Sequence, residues 1–336
     1  MKRNRIVVVT GSKEPSVGKP MELLGLGPCE VARINTDTLL QEGSFSLRTG
    51  QRGSSWIITV GDQEVDSRTI RSIWYRRPPL PKAPKASNRS FRRFIQEEMQ
   101  KALWSLWTSS CEPILWMNHP TTSKLLEYNK SYQLGVAAKV GIAIPRTVVT
   151  SNPSVALSFI RECGGEGVIK VFGGNRLKNN DGEWLSIFTN RVTEQQILEG
   201  GNEIRCCPVM LENYVPKAIE LRITVVGNML FACAIHSQDS EKTRDDWRHY
   251  DFDNVKHEPF SLPEDIKIRL MRLMKALKIN FGAIDMILTP QGEYVFLEVN
   301  PNGQWGWIEK LTGMPISQAI ADVLSDSRKA IYMGPV

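Results

Sequence analysis

The sequence predicts an α/β protein with α+β character, built from three consecutive segments. Short apolar runs typical of strands alternate with longer amphipathic stretches typical of helices along the chain. A stretch with Thr and Ser helix caps begins at 119, and a new series of strands begins near 208. We therefore expect an N-terminal α/β domain over 1–118 and two further α/β segments over 119–207 and 208–336. A chain of 336 residues is long enough to give such segments cores of their own.

The first segment contains strand signals and one long helix signal. The runs RIVVVTG, SWIITVGD and RSIWYRR are typical of strands, because apolar and β-branched residues dominate them. The stretch SFRRFIQEEMQKALWSLWTSS predicts an amphipathic helix, with Phe94, Met99, Leu103 and Leu106 near helical spacing. The proline-rich residues 78–84 predict a connector between them.

The second and third segments continue the alternation of helices and strands. Residues 119–145 predict one helix that ends at Gly141. A strand (RTVVT), a helix, a strand (GVIKVF) and the loop GGNRLKNNDGEW (173–184) follow. The third segment predicts the strands PVMLENYV, ELRITVVG and MLFACAIHS, the polar stretch QDSEKTRDDWRHYD, the helix PEDIKIRLMRLMKALK, a β-hairpin and a C-terminal helix.

The composition, with 41% hydrophobic and 23% charged residues, is that of an ordinary globular protein. No apolar run approaches the ~20 residues of a membrane span, and Ile6 to Val9 is too short for a signal-peptide core. The six cysteines show no metal-ligand spacing, so we expect reduced thiols in a cytoplasmic protein. The net charge of +6 suits ATP or an acidic peptide as well as nucleic acid. Because the basic residues form no long blocks, we expect neither a nucleic-acid partner nor a membrane partner.

The predicted hairpin FGAIDMIL–TPQG–EYVFLEVN carries acids within otherwise apolar strands. Glu298 and Asn300 share one face of their strand, because side chains alternate between faces. A two-residue turn at Gln291-Gly292 would place Asp285 directly opposite Glu298. Two carboxylates and an amide oxygen on one face are the ligands that Mg²⁺ prefers. The alternative is a surface hairpin with two solvated acids.

Two lysines and one strand suggest contacts with an anionic ligand. Lys170, inside GVIKVFGG, either snorkels at a sheet edge or has an anionic partner, and the glycines after it allow backbone N–H groups to approach phosphate. Lys130 alone is an ordinary solvated helix lysine. Glu220 and Arg222 share one face of the strand ELRITVVG, which suits a ribose and a phosphate or a pairing with each other.

Several common catalytic motifs are excluded. GSKEPSVGKP (11–20) resembles a P-loop, but its glycines are too far apart and Pro20 replaces the hydroxyl residue that binds Mg²⁺. No G-x-G-x-x-G follows the first strand, no G-x-S-x-G occurs, and the four histidines form no ligand pattern.

The order of these features resembles the ATP-grasp superfamily over residues 119–325. The features are Lys130, Lys170 before a glycine loop, LENYV, ELR, and finally D…E-x-N. The resemblance implies an ATP-grasp fold, in which two α/β subdomains hold ATP between them and an N-terminal α/β domain precedes them. It also implies that ATP and Mg²⁺ take part in the reaction.

The same resemblance implies roles for individual residues by motif match. Lys130 and Lys170 would contact phosphates and the adenine side, and the backbone of Glu212, Asn213, Tyr214 and Val215 would read adenine. Glu220 would hold the ribose, Arg222 would lie near the phosphates, and Asp285, Glu298 and Asn300 would hold Mg²⁺.

A narrower resemblance connects the chain with the graspetide, or microviridin-type, ATP-grasp ligases. It is carried by IWYRRP (73–78), TRDDWR (243–248) and FGAIDMILTPQGEYVFLEVNPNGQWGWIE (281–309). Those enzymes join side chains of ribosomally made precursor peptides into ω-ester or ω-amide macrocycles. The resemblance implies a precursor peptide, with leader and core, as the partner and a homodimeric enzyme. It gives no contacts for the loop 173–184.

Three functions are compatible with these features. The first is a macrocyclase that activates Asp or Glu side chains with ATP for attack by Thr, Ser or Lys side chains. The second is an ATP-grasp ligase that adds free amino acids to a protein or peptide. The third is a non-catalytic nucleotide-binding module, which would not need the complete set of Asp285, Glu298 and Asn300.

Two further segments receive roles if the chain is a macrocyclase. Arg248 would meet the γ-phosphate and Arg244 would hold the acceptor carboxylate, because the guanidinium fork suits both oxyanions. The alternative is a solvated stretch in which these arginines pair with Asp245 and Asp246. The helix expected within 191–203, with Glu194 and Glu199, would contact the leader of the precursor.

Overall fold

The computed structural model describes residues 3–51, 53–83, 88–109, 114–173, 176–179, 181–249 and 251–333. Its N-terminal part contains the following elements: β1 (Arg5–Thr10), α1 (Gly18–Gly25), β2 (Glu30–Asn35), α2 (Leu39–Glu42), β3 (Gly43–Gly50), β4 (Gly53–Val60), β5 (Gln63–Asp66), β6 (Ile70–Tyr75), α3 (Arg89–Thr108) and β7 (Leu115–Trp116). A parallel sheet has the strand order β2-β1-β6-β7, and β3-β4-β5 form a separate antiparallel sheet.

The parallel N-terminal sheet is covered on both faces. β1 is apolar over its whole length because Val7 and Val9 face one core and Ile6 and Val8 face another. The first of these cores includes the α3 side chains Met99, Leu103 and Leu106, which are buried as their spacing predicts. Phe94 departs from that prediction, because it is 61% exposed on the first turns of α3.

The central part is a second, antiparallel α/β unit. It contains α4 (Pro120–Tyr128), α5 (Lys130–Lys139), β8 (Thr147–Thr150), α6 (Pro153–Glu162), β9 (Glu166–Lys170), β10 (Arg176–Lys178), β11 (Trp184–Ser186), β12 (Asn190–Thr193), α7 (Glu194–Glu199), α8 (Gly201–Cys206) and β13 (Val209–Asn213). Its sheet has the order β12-β9-β13-β8. Ile160, Ile197 and Ile204 from its helices pack with Leu211 of that sheet in a small core.

Two predictions for this part are wrong. The single helix expected over 119–145 is interrupted at Asn129, which has φ −136° and ψ 76°. The Asn129 side chain accepts a hydrogen bond from the backbone N–H of Tyr132 and so begins α5 as a new helix. The loop expected over 173–184 contains an antiparallel pair, with Leu177 opposite Leu185. Residues 174, 175 and 180 of that loop lie outside the described residues.

The C-terminal part contains β14 (Ile219–Val226), β15 (Met229–Ile235), β16 (His257–Pro259), α9 (Glu264–Ala276), β17 (Phe281–Leu288), β18 (Tyr294–Asn300), α10 (Gly306–Thr312) and α11 (Ile316–Ser325). Its antiparallel sheet has the order β16-β15-β14-β17-β18. One face packs on α5 and α9, and the other shares a core with α10, α11 and the N-terminal sheet. The single C-terminal helix predicted is thus two helices, separated by Gly313 with φ +72°.

The long helices belong to these cores. Within the part of the chain that the structure describes, no helix combines the length and the apolar character needed to cross a membrane.

Candidate active site

A cleft lies between the central and the C-terminal antiparallel sheets, and we refer to it as the main cleft. Its walls come from β9, β13, β14, β17 and β18, together with α5 and the segments 214–217 and 245–248. The lining residues are Lys130, Val168, Lys170, Thr189, Glu212, Asn213, Tyr214, Val215, Lys217, Glu220, Asp245, Asp246, Trp247, Arg248, Asp285, Ile287, Leu297 and Glu298. Most of the site residues predicted from the sequence therefore share one cleft.

The hairpin of β17 and β18 pairs Asp285 with Glu298, as predicted. The predicted turn is wrong, however, because the loop has three residues, Pro290 to Gly292, with Gly292 at φ +84°. A bulge at Leu297 adds one residue to β18 and restores the expected pairing beyond it. Two departures from the assumed geometry thus cancel at the acids.

The two acids and the amide of Asn300 form one contact group. Asn300 Nδ2 donates to Glu298 Oε1 over 3.1 Å and to Asp285 Oδ2 over 3.4 Å. Arg222 Nη1 donates to both oxygens of Asp285 at 2.8 Å. Lys130 Nζ lies 3.0 Å from Glu298 Oε2 with only 18% of its side chain exposed, so its interpretation as a solvated lysine is wrong.

The charges around the hairpin shift the pKa values of the two acids in opposite directions. Burial disfavours the charged form of Glu298, but Lys130, Lys170 and Arg248 outweigh burial and lower the pKa of Glu298 to about 2. Burial raises the pKa of Asp285, and the charge of Glu298 adds to that rise although Arg222 opposes it. Glu298 is therefore the carboxylate that stays ionised most firmly.

The hairpin residues supply donors that fit a divalent cation. The described residues contain no group of three or more His, Cys, Asp or Glu side chains placed to hold a metal. Two carboxylates and an amide do converge, however, and hard oxygen donors that leave room for water and phosphate suit Mg²⁺. The amide nitrogen of Asn300 faces both acids. To coordinate a cation held by these acids, the amide group would have to rotate so that its oxygen takes the place of its nitrogen.

An ion pair also holds Lys170, on the opposite side of the main cleft. Lys170 Nζ lies 2.6 Å from Glu212 Oε2, which confirms that this strand lysine has an anionic partner. Glu212 is only 1% exposed, and its second oxygen, Oε1, is buried with no hydrogen-bond partner in the described part of the chain. A buried acceptor without a donor, beside a lysine, fits the amino-bearing edge of an adenine ring.

Glu220 and Arg222 do not pair with each other. Lys217 Nζ lies 3.0 Å from Glu220 Oε1, whereas Arg222 pairs with Asp285 across the sheet. Burial raises the pKa of Glu220, and Lys217 opposes that rise. Lys217 was missed as a site residue, although its place in KAIELR, three residues before Glu220, is the signal that would have found it.

The arginines of the polar stretch differ in position. Arg248 lines the main cleft, and its Nε donates to Asp246 Oδ1 over 2.8 Å. Burial lowers the pKa of Arg248, but Asp246 more than compensates and raises it. Arg244 is exposed and lines neither the main cleft nor the pocket next to it. Arg248 therefore pairs with Asp246, as the alternative interpretation of this stretch expected. The pair lines the main cleft, however, and is not a solvated surface pair.

A second pocket, which we call the side pocket, adjoins the main cleft. Its lining residues are Arg77, Glu127, Arg222, Trp247, Arg248, Asp285, Glu298, Asn300, Pro301, Asn302, Gly303, Gln304 and Trp307. Trp247, Arg248, Asp285 and Glu298 line both spaces, so the acids lie where they meet. A Cβ on Gly303 would lie 2.2 Å from the Ala283 side chain, so only glycine lets the loop 300–304 come this close.

Comparison with protein families and solved structures shows which family this chain belongs to. Residues 127–324 match the RimK-like ATP-grasp domain, and residues 16–123 match the MvdD pre-ATP-grasp domain. The chain belongs to the RimK-like ATP-grasp family. It is an ATP-grasp ligase, and the ATP-grasp fold expected from the order of the motifs is confirmed. No curated protein matches the chain significantly.

Solved structures extend the family match over nearly the whole chain. A RiPP-associated ATP-grasp ligase from Chryseobacterium gregarium, solved with ADP and a leader and core peptide, is 29% identical, with a TM-score of 0.89 and 99% of both chains covered. Macrocyclase MdnC from Microcystis aeruginosa MRC, bound with precursor peptide MdnA, is 30% identical, with a TM-score of 0.81, 95% of this chain and 99% of its own covered. Macrocyclase MdnB from the same organism is 31% identical, with a TM-score of 0.76, 96% and 99% covered.

The ion pair of Lys170 and Glu212 leads to a prediction for nucleotide binding. Replacing Lys170 alone would leave a buried carboxylate without its cation, which costs stability. We expect the double variant Lys170→Met/Glu212→Gln to keep the ligand-free melting temperature and to bind ADP roughly tenfold more weakly. Thermal shift without and with ADP measures the melting temperature and the ADP affinity. The single variant Glu212→Gln shows how much of the change in ADP affinity comes from the carboxylate. Unchanged ADP affinity together with a large loss of ligand-free stability would make Lys170 a structural residue.

Proposed function

We propose that this ATP-grasp ligase closes macrocycles in a ribosomally made precursor peptide. The observation that carries the proposal is the meeting of the main cleft and the side pocket at Asp285 and Glu298. One space offers buried polar groups and lysines to a nucleotide, and the other offers arginines and tryptophans to a peptide carboxylate. The coverage of whole macrocyclase chains supports the same function.

The nucleotide would lie in the main cleft. Lys130 and Lys170 would contact phosphates and the adenine side, the segment from Glu212 to Val215 would read adenine, and Glu220 would hold the ribose. Asp285, Glu298 and Asn300 would hold Mg²⁺, which offsets phosphate charge when it is bound. The ATP-grasp ligase PsnB, which is 20% identical to this chain, has been solved in complex with Mg and ADP.

The chemistry needs an activated carboxylate. An Asp or Glu carboxylate oxygen attacks the γ-phosphorus of ATP, the bond to the ADP oxygen breaks, and an acyl phosphate forms. A Thr or Ser hydroxyl or a Lys amine then attacks the acyl carbon, phosphate leaves, and the nucleophile loses its proton. Arg222, Arg248 and Lys170 are placed to offset the negative charge of these steps and to hold the reactants in line.

Intact mass separates this function from the addition of free amino acids. The enzyme is incubated with ATP, Mg²⁺ and a candidate precursor, the product of a neighbouring small open reading frame rich in Thr, Ser, Asp and Glu. Without free amino acids, we expect the peptide to lose one water per bond formed. A gain of one residue mass per cycle, seen only when an amino acid is supplied, would instead establish the amino-acid-adding ligase.

Leader recognition is proposed for α7 and the residues around it, within 191–203. Glu194 is partly exposed and pairs with Arg161 at 2.7 Å, so its charge is held in place at the surface. Glu194→Ala is expected to raise the KM for the precursor several-fold and to leave kcat nearly intact, as loss of uniform binding does. Glu264→Ala, an exposed acid on α9, is the control. Equal KM values in both variants would place the leader elsewhere.

We also propose a homodimeric assembly and a cytoplasmic location. Homodimerisation is implied by the resemblance to graspetide ligases. A cytoplasmic location agrees with the free thiols of Cys29, Cys163, Cys206, Cys207 and Cys233. Cys111 lies outside the described residues.

A further inference from the structure

Arg77 lies at the mouth of the side pocket in an uncommon backbone conformation. Its φ is +45°, in the left-handed region that residues other than glycine rarely adopt. Its Nε donates to the carbonyl oxygen of Asn302 over 2.8 Å, which ties the end of β6 to the loop after β18. Strained backbone of this kind persists where the surroundings hold it, and it is frequent at binding sites.

Arg77 differs from the other arginines of the side pocket in its partners. Arg222 is paired with Asp285, and Arg248 is paired with Asp246. Among the described residues, no carboxylate lies within ion-pair distance of Arg77, and neither of its Nη groups has a hydrogen-bond partner. Glu127 also lines the pocket, but its carboxylate accepts a hydrogen bond from Asn302 instead. The terminal fork of Arg77 is therefore available to an oxyanion in the pocket that Asp285 and Glu298 also line.

A groove continues from this point along the N-terminal domain, and we call it the outer groove. Its lining residues are Thr36, Tyr75, Arg77, Pro78, Pro79, Leu80, Pro81, Gln100, Leu103, Trp104, Trp107, Pro120, Ser123, Lys124, Glu127, Tyr128 and Asn302. Arg77, Glu127 and Asn302 line both the side pocket and the outer groove. The two spaces therefore meet at Arg77.

The walls of the outer groove suit an extended peptide. Aromatic and proline side chains supply apolar surface, and Tyr128 is 70% exposed on α4. Lys124 lies 5.1 Å from the ring centre of Trp104, so a cation borders this surface.

We propose that Arg77 binds the Asp or Glu carboxylate that is to be activated, and that the peptide chain carrying it lies in the outer groove. This rests on the proposed function and assigns to Arg77 the role expected for Arg244 from the sequence. The guanidinium fork matches a carboxylate in a bidentate geometry. A groove that ends at this fork brings side chains of one peptide to the acids one at a time.

A thermodynamic cycle between enzyme and peptide tests the carboxylate contact. The wild-type enzyme must first remove water from the precursor, and failure at this step would refute the proposed function itself. Binding of the precursor and of a version with its reacting Asp or Glu changed to Asn or Gln is then measured for wild type, Arg77→Ala and Arg272→Ala. Arg272 is exposed on α9 and lines none of the three spaces.

We expect the amide peptide to bind wild type and Arg272→Ala roughly tenfold more weakly than the acid peptide. Arg77→Ala should bind both peptides equally, because the partner of the carboxylate is gone. Its ADP affinity should match that of wild type, and its melting temperature should fall only slightly, because one hydrogen bond to the Asn302 carbonyl oxygen is lost. An undiminished preference for the acid peptide in Arg77→Ala would overturn the proposal, and a selective loss of ADP affinity would make Arg77 a phosphate ligand instead.

A second pair of variants tests the outer groove. Tyr128→Ala removes an exposed aromatic side chain from the groove, and Leu26→Ala removes an 86% exposed side chain elsewhere. We expect the KM for the precursor to rise several-fold only in Tyr128→Ala, with kcat unchanged. Equal KM values in the two variants would mean that the chain leaves the side pocket by another route.

Discussion

Glu298→Gln is expected to lower ATP turnover on the order of 10³-fold or more while the fold is kept. The amide keeps the shape of the side chain but removes the charge that Lys130 pairs with and that a divalent cation needs. A moderate loss of stability is expected, because both side chains of the pair are less than a fifth exposed and Lys130 keeps its charge without its partner. Phosphate release at saturating ATP and precursor, together with the melting temperature, measures both effects.

Asp285→Asn should lose turnover to a similar degree and should also lose stability. Arg222 would remain charged and buried with only one amide oxygen in place of a carboxylate. Glu293→Gln, an exposed acid at the turn of the same hairpin, is the matched control and should behave as wild type. Near-wild-type turnover in both Glu298→Gln and Asp285→Asn would remove the metal assignment.

Arg248→Ala is expected to lower kcat for the precursor by roughly 10²- to 10³-fold, with a smaller change in the KM for ATP. Arg248 is the arginine that lines the main cleft and the side pocket and is clamped by a buried carboxylate, so its fork is held in one position. Arg248→Lys should recover little of the activity, because a point charge does not reproduce the fork.

A variant of Asp246 tests whether its ion pair with Arg248 is needed for turnover. Asp246→Asn keeps a hydrogen-bond acceptor for Thr189 but removes the charge that orients Arg248. We expect a loss of about 10- to 100-fold in kcat, as for other residues that orient a catalytic group. The exposed Asp253→Asn is the control. If Arg248→Ala retained most of its kcat, Arg248 would be a structural partner of Asp246 only.

The pairing of Asp285 with Glu298 could be predicted from the sequence, but the loop length and the bulge of the hairpin could not. Alternation along β18 places Glu298 and Asn300 on one face, whatever the turn. The three-residue loop and the bulge at Leu297 depend on local backbone energies, and no residue type specifies them uniquely. The break at Asn129 was detectable, because Asn is a preferred N-cap, but neither Gly nor Pro marks the interruption between the two helices.

Contacts between distant segments were not accessible from the sequence. Arg244 and Arg248 lie four positions apart, which suggests convergence, yet only Arg248 reaches the cleft. Arg77 reaches the side pocket because β6 ends beside the loop that follows β18, and Asn302 lies 225 positions away in the chain. Spacing rules describe neighbours on one element, whereas this contact depends on how the N-terminal sheet packs on the ligase core.

The covering of the N-terminal sheet by α11 has a consequence for synthesis on the ribosome. Ser72 Oγ in β6 donates to the Leu324 carbonyl oxygen, a partner 252 positions later, and Ile6, Val8 and Trp74 share a core with α11. The sheet is therefore translated long before the helix that covers one of its faces, since Ser72 and Leu324 are 252 positions apart. Until α11 has been made, the apolar face of the sheet stays uncovered on the nascent chain, and we expect this interval to favour aggregation and chaperone binding.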